Sequence, residues 1–148
     1  MRTFERYFIH FFSISIILLL IYLILLKVDK SELLTPIFVL TMFGCTILFS
    51  VPMTFIFSNI AKTKTIEIKS ENVFEDEKNI HNLITTRLKR DCVYQDSTKR
   101  IYKMKNKYNA WLTNPIIVVQ KENELIVVLP KTYLEEFQLR FTNCQIIN

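Results

Sequence analysis

The sequence predicts a membrane α-hairpin of two transmembrane helices followed by a small cytosolic α+β domain with an antiparallel sheet. Three observations predict it. Two long apolar stretches lie near the start, the composition changes abruptly after residue 60, and beyond that point segments of period two alternate with segments of helical spacing.

The first stretch, residues 7–26, reads YFIHFFSISIILLLIYLILL and carries no fixed charge; the second, residues 33–60, carries none either. About 20 apolar residues of helix cross roughly 30 Å of hydrocarbon, so both are long enough to span. A cleaved signal peptide is the competing reading of the first. Its apolar run is too long for that, no small-x-small cleavage motif follows it, and a second apolar stretch comes almost at once. Arg2 and Arg6 precede the first span and Lys62, Lys64 and Lys69 follow the second, while the intervening KVDKSE balances two Lys with two acids. Lys and Arg favour the cytoplasmic side, which predicts a multi-pass inner-membrane protein with both termini in the cytoplasm. Residues 1–60 form the membrane domain and 61–148 the cytosolic domain, with 15 Lys or Arg against 11 Asp or Glu in the latter.

The elements of the second domain follow in order. TKTIEIKS (63–70) alternates and predicts a strand. Residues 72–90 predict a helix: Asn72 and Glu75 stand at capping-box spacing, acids open it, Arg87, Lys89 and Arg90 close it, and Ile80, Leu83, Ile84 and Leu88 form its apolar face. Residues 92–96 and 99–107 predict a hairpin about the turn DSTK. PIIVVQ and ELIVVL predict a second hairpin about KENE; being apolar throughout, its strands are expected to be central and covered on both faces. Residues 132–141 predict a last helix, with Thr132 and Glu135 in capping-box spacing and Tyr133, Leu134, Phe137 and Phe141 facing the sheet.

Catalytic and metal motifs are missing from the sequence. It has no G-x-S-x-G and no phosphate-binding loop, its one glycine is Gly44, and its three cysteines and two histidines show no metal-ligand spacing. No enzyme, cofactor or metal is expected, and a cytosolic tail keeps Cys92 and Cys144 reduced.

Charge is concentrated instead in residues 85–111, which hold eight Lys or Arg, two acids and four aromatics. Cations neutralise phosphates and rings stack on bases. Arg87, Lys89, Arg90, Lys99, Arg100, Lys103 and Lys105 are therefore candidate phosphate ligands, and His81, Tyr102 and Trp111 candidate base contacts. A solvated basic face and a surface for anionic lipid or a protein compete with that reading. In the second span Thr46, Ser50, Thr54 and Ser58 recur every four residues as a hydroxyl stripe, with Gly44 and Cys45 allowing close approach and Pro52 a kink. Helix packing explains the stripe most simply; a weakly polar pathway between several copies is the sharper alternative.

Two spans (SISIILLLIYLILL and FVLTMFGCTILFSVPMTFIF) and the basic, aromatic LKRDCVYQDSTKRIYKMKNKY together resemble the two-span CRISPR-associated membrane effectors of type III systems that sense cyclic oligoadenylate. The resemblance is one of architecture. It implies antiviral defence, a homo-oligomer (a tetramer among the forms it allows), a cyclic nucleotide ligand and membrane lipid as partners, and action by disrupting the inner membrane. ELIVVLPKTYLEEF is also similar to the end of small bacterial membrane proteins with a pleckstrin-like tail, although the helix expected over 72–90 falls where that fold needs strands. An accessory membrane protein whose tail binds a protein or anionic lipid is the alternative function.

Overall fold

The computed structural model describes residues 3–28, 36–141 and 143–147. They divide into two compact units, Met1–Asn59 and Ile60–Asn148.

The first unit contains α1 (Thr3–Val28) and α2 (Pro36–Ile60), both long and apolar enough to cross a membrane. At 1.5 Å per residue they are about 39 and 38 Å long. Residues 33–35 of the expected second span lie outside the described residues. Large apolar side chains such as Leu18, Leu25, Ile37, Leu40 and Leu48 point outward. The two helices meet through Phe4 against Phe55, Phe11 against Phe57 and Tyr22 against Phe38, an antiparallel pairing. The hydroxyl stripe supplies the polar part of this contact. Ser50 and Thr54 are fully buried, and Ser50 Oγ stands 3.4 Å from Ser15 Oγ. Thr46, Ser50, Thr54 and Ser58 each donate to a carbonyl of their own helix, at 2.7, 2.7, 2.7 and 3.2 Å. Gly44 needs no account in terms of close approach, since a Cβ there would meet nothing within 4 Å. Pro52 lies inside α2, which continues beyond it.

In the second unit the chain runs β1 (Thr63–Lys69), α3 (Val73–Asn82), a π-turn (Leu83–Arg87), β2 (Arg90–Gln95), β3 (Lys99–Met104), α4 (Lys107–Leu112), β4 (Ile116–Lys121), β5 (Glu124–Pro130), a 3₁₀ turn (Lys131–Tyr133), α5 (Leu134–Arg140) and β6 (Cys144–Ile147). The strands form one antiparallel sheet in the order β2-β3-β4-β5-β1-β6. One face of the sheet holds the core. Ile66, Ile68, Tyr102, Ile116, Val118, Leu125, Val127 and Leu129 pack there with Ile80, Leu83 and Ile84 from the helical segment and Phe137 from α5.

Several expectations are corrected. The helix after β1 ends at Arg87, not at residue 90. Leu88 N–H donates to the Leu83 carbonyl at 3.1 Å, one residue wider than an α-turn. Thr85 and Thr86 turn their hydroxyls back on the His81 and Asn82 carbonyls, which competes with the regular ladder. Lys89 then takes a left-handed φ of 50°, which lets Arg90 begin β2. That conformation costs a side-chain-bearing residue about 1–2 kcal/mol, and a glycine's extra freedom in the unfolded chain offsets about half of it. Lys89→Gly is expected to stabilise the domain by about 0.5–1 kcal/mol, read as a higher midpoint in thermal melts of the purified full chain.

Strand β3 stops at Met104, so Lys105 lies past its end and Lys107 opens α4, a helix not expected from the sequence. Asn106 caps α4 by accepting from Tyr108 N–H at 2.8 Å. At the last helix no side chain caps either the 3₁₀ turn or α5, so the expected Thr132–Glu135 box does not form. At the first helix Asn72 Oδ1 does accept from Glu75 N–H, at 3.3 Å. β6 was not anticipated; it adds to the free side of β1.

The buried core lies on one face of the central strands. Ile117, Val119, Ile126 and Val128 point to the other face, away from that core, and are half-buried. Cross-strand pairing lines this open face in rows: Thr65, Val128, Ile117 and Ile101 in one, and Glu67, Ile126, Val119 and Lys99 in the next.

Candidate functional site

The ten side chains proposed from sequence as ligand contacts do not converge on one surface. Three are structural. Arg90 is 1% exposed; its Nη1 donates to the Asn114 carbonyl at 2.8 Å, and its guanidinium carbon lies 5.2 Å from the centre of the Tyr133 ring. Arg100, on the core face of β3, pairs with Glu77 of α3 at 3.1 Å. Tyr102 is also 1% exposed, and its hydroxyl lies 3.0 Å from His81 Nδ1. Burial raises the Tyr102 phenol above its usual pKa, with the neighbouring Arg100 working against that rise. Tyr102 therefore offers no face for stacking, and one nitrogen of His81 is taken up inside the domain.

The remaining residues lie in different places. Lys99 and Lys103 belong to the open face of the sheet with Ile101, opposite the face that α3 covers. Lys89 is exposed in the turn before β2 and Lys105 in the bend after β3. Trp111 is on α4, half-stacked on Tyr108 with ring centres 6.2 Å apart. The hairpin turn is fixed by Asp96, whose Oδ1 accepts from Thr98 and Lys99 N–H at 2.8 and 2.7 Å and whose Oδ2 accepts from Tyr94 Oη at 2.9 Å. These bonds, that from Thr98 N–H first, hold its carboxyl below the usual pKa. The turn is built for shape.

Arg87 borders a sizeable cleft among the described residues. This opening, about 510 Å³, is lined by Asp76, Asn79, Asn82, Leu83, Thr86 and Arg87 from α3 and the π-turn, and by Arg140 and Phe141 from the end of α5. Positions 76, 79, 83 and 86 recur every three or four residues, so one side of the helical segment forms the wall. The widened turn carries Thr86 and Arg87 round to the same wall. Arg87 Nε stands 2.5 Å from Glu136 Oε1, close enough for an ion pair but not aligned as a hydrogen bond. Arg140 is exposed and has no ion-pair partner among the described residues. Asp76 accepts from Ser70 Oγ at 2.6 Å.

The chemistry of this cleft is mixed. Two guanidiniums suit an anion with several oxygens, the amides of Asn79 and Asn82 both donate and accept, and Phe141 adds an aromatic side chain at the border. Arg140, Asn79, Asn82 and Phe141 are absent from the candidates expected from sequence because they lie outside the basic run. Their signal was available only as helical spacing along 76–87 and as a lone Arg-Phe pair at the end of a short helix. Among the described residues no group of His, Cys, Asp or Glu is arranged to hold a metal ion. No protein-family model, curated protein or solved structure matches the chain.

Proposed function

We propose that this chain is a non-enzymatic effector of the inner membrane, held by two spans with both termini in the cytoplasm. Its C-terminal domain binds a polyanionic nucleotide, with cyclic oligoadenylate the class to test first. In this reading it acts in prokaryotic antiviral defence, by disrupting the membrane once ligand is bound. The outward Leu and Ile side chains of α1 and α2 support the membrane anchor, because so large an exposed apolar surface is costly in water. The observation that carries the ligand reading is the cleft where Arg87 and Arg140 stand with amide side chains and Phe141. Guanidiniums would hold phosphates, while Asn79, Asn82 and Asp76 would meet base edges. Binding biases the spans only if ligand prefers one of their arrangements.

The test is binding of labelled cyclic tetra-adenylate, cyclic hexa-adenylate and cyclic di-nucleotides to the full chain in lipid nanodiscs. Arg87→Glu with Arg140→Glu is expected to weaken the best ligand by at least a hundredfold, since each of the two charge-assisted contacts is worth about 1.5–3 kcal/mol. Glu136→Gln releases Arg87 from its carboxylate and is expected to tighten binding severalfold. A panel without any binder overturns the ligand reading, and a binder indifferent to all three substitutions overturns the cleft.

The accessory reading, in which the tail holds a protein or anionic lipid, has one observation in its favour: the half-buried apolar rows on the uncovered side of the sheet.

A further inference from the structure

The open face of the sheet is complementary to itself. Consider a two-fold axis lying parallel to the strands, above the line between β4 and β5. The sheet order places β5 and β4 half a spacing either side of that axis, and β1 and β3 one and a half spacings away. Rotation then sets β5 of one copy over β4 of the other, and β1 over β3, without shifting any row along the strands. In the row Glu67, Ile126, Val119, Lys99, carboxylate meets ammonium at both ends and Ile126 meets Val119 twice in the middle. In the next row Val128 meets Ile117, and Thr65 meets Ile101. Neither Glu67 nor Lys99 has an ion-pair partner among the described residues.

We infer that the C-terminal domain pairs with a second copy of this chain through this face, closing a two-sheet sandwich. Sheets packed face to face lie about 10 Å apart with strand directions within about 30°, which an axis parallel to the strands satisfies. Strands about 4.8 Å apart and some six residues long make the face roughly 24 by 20 Å, a plan area a little over half of one side of a standard protein interface. A two-fold axis parallel to the strands also leaves both β1 strands running the same way. Only Ala61 and Lys62 separate α2 from β1, so the two chains leave the pair in one direction, as two chains anchored in one bilayer must. That last point rests on the membrane reading above; the register does not.

The test uses the full chain in detergent, with no nucleotide, so it stands apart from the ligand reading. Glu67→Lys and Lys99→Glu each set two like-charge contacts into the pair, and each is expected to raise the dimer dissociation constant by roughly a hundredfold. The combined reversal, Glu67→Lys with Lys99→Glu in one chain, restores the pairing and is expected to return it to near the starting value. Mass photometry across a dilution series reads all three, with far-UV circular dichroism confirming unchanged secondary structure. In addition, co-expressed chains carrying Glu67→Cys and Lys99→Cys, distinguished by tags, are expected to join through a short bis-maleimide linker more readily than either variant does with itself. A chain that is monomeric throughout, a dimer unmoved by the single reversals, or a double reversal no better than the singles overturns the inference.

Discussion

Arg90→Glu is expected to unfold the C-terminal domain, whereas Arg90→Met leaves it folded and at least as stable. The guanidinium is buried, with one hydrogen bond to the Asn114 carbonyl and the Tyr133 ring beside it; Nε and Nη2 have no hydrogen-bond partner among the described residues. Leaving such donors unsatisfied costs about 1–3 kcal/mol each, more than the net worth of the single bond that is made. Methionine fills similar length with no polar atom to desolvate, and exchanging a buried charge for a packed apolar residue is often neutral or stabilising. Glutamate reverses the situation: a carboxylate would face the Asn114 carbonyl oxygen and the electron-rich face of Tyr133, at a cost of about 3–5 kcal/mol or more. A domain of this size has only about 5–12 kcal/mol to lose, on the order of 0.1 per residue. Circular dichroism melts of the full chain check both outcomes. The same pair separates roles, because a phosphate ligand at Arg90 requires Met to abolish nucleotide binding, and a structural Arg90 requires Met to spare it. Comparable melting points for Met and Glu would refute the burial argument.

In sequence Arg90 has the look of a ligand residue because nothing local marks it as buried. The same ambiguity holds along β3. Strand alternation over 99–107 sets Lys99, Ile101, Lys103, Lys105 and Lys107 against Arg100, Tyr102 and Met104; it holds as far as Met104, where β3 ends, and alone does not say which set faces the core. Ile101 points one way and Tyr102 the other, so hydrophobicity favours neither. The helix decides it. Glu77 and His81 are one turn apart on α3, about 6 Å along its axis, and Arg100 and Tyr102 are one repeat apart on β3, about 6.6 Å. The two pairs meet as Glu77–Arg100 and His81–Tyr102. That match of spacings was legible, though only by comparing charges across elements. The local patterns were easier to read: both apolar helices, the alternation of β1, the turns of the two hairpins and the cap at Asn72. The elements that escaped were short or lacked periodicity. α4 is six residues long and β6 four, too short for either period to stand out, and β6 is held by its pairing with β1. The cleft escaped for a different reason: its two walls come from segments about 60 residues apart, so nothing local marks it.

Phe137→Ala is expected to lower the melting point by about 12–40 °C and to open the cleft. Phe137 is the fully buried residue of α5, while Leu134 and Phe141 are only partly covered. Removing a buried phenyl ring costs about 3–5 kcal/mol, and each kcal/mol moves the midpoint of a domain this size by roughly 4–8 °C. The loss falls unevenly. A seven-residue helix without a side-chain cap cannot hold its own shape in water, so α5 depends on that one anchor more than the sheet does. Hydrogen exchange should therefore show residues 134–140 losing protection first, with β4 and β5 protected until the global transition. Glu136 and Arg140 leave with α5, freeing Arg87 from its carboxylate and removing half the cleft's positive charge. Nucleotide binding in that variant should fall even at temperatures where the sheet is intact. Phe137→Leu keeps most of the buried volume and should recover most of both properties. If alanine instead left α5 protected and binding unchanged, the helix would be held by something other than its aromatic anchor. The cleft would then be a groove that the ligand does not need.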